Sequence, residues 1–121
     1  MKNFEVKIGG YTWKVEFVPK EAISGNDGLT RPNDFTLLLR NDLLPKTTYL
    51  VFIHEVVHAL LDTQGRCYQK KFDVEEMCEF VSFRYDEIVS IVDTFNREAF
   101  REERKVEPAP LFVPVNDEKY L

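Results

Sequence analysis

The sequence is poor in the residues that staple a chain or carry it through a membrane. It holds two cysteines, Cys67 and Cys78, among 121 residues. Two thiols without a C-x-x-C pair build no disulfide framework. The expectation is two free, buried thiols in a reducing cytoplasm. No apolar run approaches the roughly 18 residues of a membrane span, so no membrane partner is expected. The opening Met1 to Gly10 lacks the apolar stretch of a secretory leader. Positive charge is the minority sign: 16 Lys+Arg stand against 21 Asp+Glu, a net charge of -5. That leaves no basic stripe for general nucleic-acid binding, and no nucleic-acid partner is expected. Repeats and low-complexity tracts are absent. Histidine is scarce too, with two in the chain.

What is present suits one small α+β domain. The chain is 44% hydrophobic and 31% charged, enough apolar surface for a single core. Phe4, Val6 and Ile8 alternate with polar residues, and so do Tyr11, Trp13, Val15 and Phe17. Between them lies Gly9-Gly10, a pair suited to a two-residue hairpin turn. Pro19 ends the second strand. The Gly, Pro, Asn and Asp content of residues 20–34 reads as loop. A third, more buried strand is expected over residues 35–40. The sheet is thus expected to hold about three strands, antiparallel or mixed.

Pro45 suits a helix start. Leu50, Val51, Ile53, Val57, Leu60 and Leu61 then recur at helical spacing up to Asp62, with Gly65 as a C-terminal stop. A long second helix is expected from Asp73 to Arg104, with Met77, Phe80, Val81, Ile88, Ile91, Val92 and Phe95 as its buried stripe and a solvated, charge-paired end. Pro108 and Pro110 stop it. The domain is placed at residues 1–105, followed by an arm at 106–121. The apolar stretch Leu111 to Val115 in that arm is expected to pack on its own or a neighbouring subunit, giving a possible homodimer.

Both histidines fall in one pentapeptide, His54-Glu55-Val56-Val57-His58. This is H-E-x-x-H. Residues four apart on a helix share a face, so two imidazoles can bind one Zn²⁺ while Glu55 takes a proton from metal-bound water. The alternative is a pair of hydrogen-bonded core histidines, which would leave Glu55 buried without purpose. A third protein ligand is then needed. Gln64 stands where a metzincin carries its third histidine, and Leu61 where it carries glycine, so that pattern fails. The remaining candidates are the carboxylates Glu75, Glu76 and Glu79 opening the second helix, the gluzincin arrangement. Glu76 is the first choice because it shares a face with Phe80 and Phe83, and Glu79 is second. A capping box Asp73-x-x-Glu76 competes for the same residue. Asp62 could instead orient a histidine, and Cys78 is a weaker ligand candidate. Tyr68 and Tyr85 are the side chains available to stabilise an oxyanion.

The order hairpin, Gly28 loop, strand, HEVVHALL helix and Glu-rich helix resembles the small ImmA/IrrE-type metallopeptidases, many of them borne by phages and mobile elements. The resemblance covers about residues 4–95, and HEVVH is its specific part. It implies a minimal zincin-like fold and a zinc-dependent peptidase acting on a protein or peptide. In that family the third ligand opens the pattern E-A-N-x-F-A. Glu76-Met77-Cys78-Glu79-Phe80-Val81 aligns with it, with Met77 for Ala and Cys78 for Asn. Better-studied relatives cleave a repressor protein and often carry a separate sensor domain. In the peptidase reading, the edge of strand 35–40 is expected to bind substrate by strand addition. Two rivals remain: a non-catalytic binding module whose metal is structural, and a hydrolase acting on a non-peptide amide.

Overall fold

A computed structural model of the chain describes residues 1–63 and 74–101. Strands β1 (Phe4–Ile8) and β2 (Tyr11–Val18) form the expected hairpin, antiparallel with Val6 opposite Trp13. Its turn works because Gly9 and Gly10 both take positive φ, 60° and 87°, which side-chain-bearing residues rarely adopt. A Cβ on Gly9 would also lie 2.8 Å from Thr63 Cβ.

Among the described residues the sheet has four strands rather than about three, in the order β1-β2-β4-β3. The additional strand is β3 (Gly28–Arg31), inside the segment read as loop. It is short, and Pro32 follows at once, so no alternation could build up in the sequence. Antiparallel pairing with β4 (Thr36–Arg40) makes it a strand, with Leu29 opposite Leu38. Phe35, expected in the strand, instead holds a left-handed φ of 52°. It stacks on Tyr11 at 5.0 Å and meets Trp13 edge-on. Strand β4 pairs in parallel with β2 on one side and antiparallel with β3 on the other, and is therefore interior. The sheet edge expected on residues 35–40 is not on β4; among the described residues that edge is β3. Thr36, Leu37, Leu38 and Leu39 form an unbroken buried run: Leu37 and Leu39 belong to the core under the helices, and the short helical turn Lys20–Ile23 also contacts this strand.

Both helices cover one face of the sheet. α1 (Pro45–Thr63), the expected helix, buries Phe52, Val56, Ala59 and Leu60 and contacts β3 and β4. α2 (Val74–Glu98) packs along β1. They meet Val6, Ile8, Trp13, Val15, Leu37 and Leu39 in one core. At its centre Phe52 of α1 stacks on Phe95 of α2, with ring centroids 4.5 Å apart. The Gly9 N–H donates to Glu87 Oε2 at 2.6 Å, tying the hairpin turn to α2.

The stripe expected on α2 is only partly buried. Phe80, Ile91 and Phe95 are in the core, while Met77 and Val81 are exposed. Its first half extends past the sheet, so only Phe80 there finds cover. Cys78 is exposed as well, not buried. The helix ends at Glu98 rather than at Arg104, because Ala99 and Phe100 turn into the core and the Ala99 carbonyl accepts from Lys2 N–H at 2.7 Å. Gly65, Cys67, Tyr68, Asp73, residues 102–104 and the 106–121 arm lie outside the described residues. No helix among those described is long and apolar enough to cross a membrane.

Candidate metal centre

The two histidines project from α1 on the side that faces β3 and the solvent. Helical spacing puts Phe52, Val56 and Ala59 inward, so His54 and His58, one turn apart, share the outer flank. Both are exposed, so they are not core histidines. Their Nε2 atoms lie 3.2 Å apart. Two nitrogens held at about 2.05 Å by one tetrahedral Zn²⁺ must sit about 3.3 Å apart. The pair therefore fits two positions of such an ion. Without metal, the same spacing suits an N–H···N hydrogen bond between neutral rings of complementary tautomer.

Glu55 behaves differently from its neighbours. It is 7% exposed, tucked against β3 while the histidines beside it are open to solvent. There the Thr30 hydroxyl donates to its Oε1 at 2.6 Å, with the Glu55 backbone carbonyl at 3.2 Å as a second acceptor. The strand comes this close because Gly28 has no side chain. A Cβ at that position would lie 2.7 Å from Val51 Cγ1 and 3.1 Å from Glu55 Oε2. Gly28 and Thr30 are two apart on a strand, so both face the helix while Leu29 and Arg31 face out.

Two adjoining clefts open here. One of about 310 Å³ is lined by Gly28, Leu29, Thr30, His54, Glu55 and His58. The other, about 380 Å³, runs from His54 and Glu55 past Gly28 to Asn26, Asp27, Leu50 and Val51. The three residues of the motif thus share one opening beside an edge strand, with a carboxylate poised next to a nitrogen pair. Such a site can hold a divalent metal and move a proton.

Among the described residues no third ligand joins the two histidines: no three His, Cys, Asp or Glu side chains gather closely enough to hold a metal. Glu76 is half-buried on the first turn of α2, whereas Glu75 and Glu79 are exposed. Asp62 is half-buried at the end of α1. Tyr85 is 61% exposed and lines neither cleft. Thr30 and the Gly28 approach were not singled out by sequence reasoning. The signal was present only as the short alternation Gly28-Leu29-Thr30-Arg31, too brief to stand out from a loop. Comparison with protein-family models, with curated proteins and with solved structures finds no match.

Proposed function

We infer that this protein is a zinc-dependent metallopeptidase with a zincin-like fold. The observation that carries the reading is the 3.2 Å separation of His54 Nε2 and His58 Nε2 in a cleft that also holds the Glu55 carboxylate. His54 and His58 would hold Zn²⁺, with Glu76 as the third ligand and Glu79 as the second choice. When bound, zinc supplies Lewis acidity toward a carbonyl oxygen and toward water. Glu55 acts as general base: it takes a proton from the attacking water and returns it to the leaving amine.

The substrate is a protein or peptide in extended form. Among the described residues the outer edge of β3 has no partner strand, and it runs beside the cleft, so an added strand would bring its backbone past Glu55. The ImmA/IrrE resemblance supports the same class of reaction.

The exposure of both histidines argues against a purely structural metal, since structural zinc sites are closed by four protein ligands. Metal content of the purified full chain, read by mass spectrometry, tests the first step. Glu55→Gln should keep zinc and lose cleavage of a random peptide library. A chain with no affinity for zinc, or a Glu55→Gln variant as active as the parent, overturns the reading.

A further inference from the structure

The general base proposed above is a glutamate with two oxygens, and among the described residues a hydrogen bond engages only one of them. Thr30 Oγ1 donates to Oε1 at 2.6 Å, with the Glu55 backbone carbonyl a longer second acceptor at 3.2 Å. Oε2 faces the Gly28 side, where a Cβ would come within 3.1 Å of it. Both clefts reach Glu55 at this place. A glutamate has three side-chain torsions, and its outermost is broad and weakly restrained. Burial does not by itself choose between the two faces of the carboxylate. A hydroxyl on a paired strand does.

We propose that Thr30 is a positioning residue for Glu55: its hydrogen bond pins Oε1 and leaves Oε2 to exchange the proton. The inference rests on the reading of Glu55 as general base. Thr30 suits the task because β4 holds it through the Thr30 to Leu37 pairing, independently of the helix that carries Glu55. The carboxylate is therefore oriented between two separately fixed elements. Gly28, one strand period away, keeps the freed oxygen accessible. Misplacing a reacting group by about 1 Å costs on the order of 100-fold in rate.

The test uses the zinc-loaded full chain and the variants Thr30→Val and Thr30→Ser. Valine keeps the shape and removes the donor, while serine keeps the donor. A random decapeptide library, read by mass spectrometry, supplies a cleaved peptide on which kcat and KM are measured. Thr30→Val should lose about 100-fold in kcat with KM and zinc affinity unchanged, and Thr30→Ser should recover most of it. A Thr30→Val variant with wild-type kcat, or a loss that serine does not rescue, overturns the proposal. Crystal structures of the three proteins decide the matter without turnover. The Glu55 carboxylate should swing or split in Thr30→Val and stay in place in Thr30→Ser. An unmoved carboxylate in Thr30→Val overturns the positioning role. If the parent chain cleaves nothing in the library, the peptidase reading fails separately, and the crystal structures still decide the role of Thr30.

Discussion

Gly28 on β3 and Glu55 on α1 approach so closely that one added carbon has no place: a Cβ on Gly28 would stand 3.1 Å from both Cγ and Oε2 of Glu55. It would also stand 2.7 Å from Val51 Cγ1. Gly28→Ala should therefore destabilise the domain by about 1–3 kcal/mol through overpacking. Urea denaturation checks this. A neutral alanine would mean that β3 and α1 are less tightly opposed.

The histidines act as a pair in the metal reading. Changing either His54 or His58 to Ala should lower zinc affinity by more than about 100-fold, since even outer-shell partners are worth 10–100-fold. Competition with a chromogenic chelator measures it. Glu55→Gln should leave that affinity within a few fold of the parent. Because the apolar core is built without the site, chelation should leave the far-ultraviolet circular dichroism unchanged.

Phe52 and Phe95 are both fully buried and stacked at the junction of the two helices and the sheet. Phe95→Ala removes a ring that also meets Phe4, Tyr49 and Phe100. A loss of about 3–5 kcal/mol is expected, a large part of the 5–15 kcal/mol that holds a domain. Phe83, 83% exposed on α2, is the contrast: Phe83→Ser should change stability by less than about 0.5 kcal/mol. Equilibrium denaturation separates the two.

Arg40, at the end of β4, grips both oxygens of Asp42 at 2.9 and 3.0 Å and reaches Asp27 at 3.2 Å. The hydrogen bonds from Arg40 hold the Asp42 carboxyl below its ordinary value of 3.8, while partial desolvation works the other way. A carboxyl whose pKa is lowered by folding stabilises the folded chain fully above its unfolded value. That contribution fades as pH falls through the lowered one. The melting temperature of the parent should therefore drop below about pH 4 more steeply than that of Asp42→Asn.

How much of this was legible in the chain depends on the range of the forces involved. The hairpin was legible because two adjacent glycines stand between two alternating runs. The helix carrying His54, Glu55 and His58 was legible from Pro45 and a helical apolar period. That period alone also places the two histidines on one flank, whatever they bind. Three things were not legible. Residues 28–31 form a strand only because β4 pairs with them, and four residues are too few for an alternation to show. The apolar stripe of α2 looked buried along its length, yet the sheet is shorter than the helix and leaves Met77 and Val81 in solvent. The partner of Glu55 is Thr30, 25 residues earlier, and nothing local to either residue names the other.

The sequence by itself determined which side chains can do chemistry here, because helical geometry ties residues four apart to one face. Only the tertiary structure decided what surrounds them. The packing of α1 across β3 selects which strand is the edge, which hydroxyl meets the carboxylate and which side of the site stays open, and those contacts join segments whose sequences carry no record of one another.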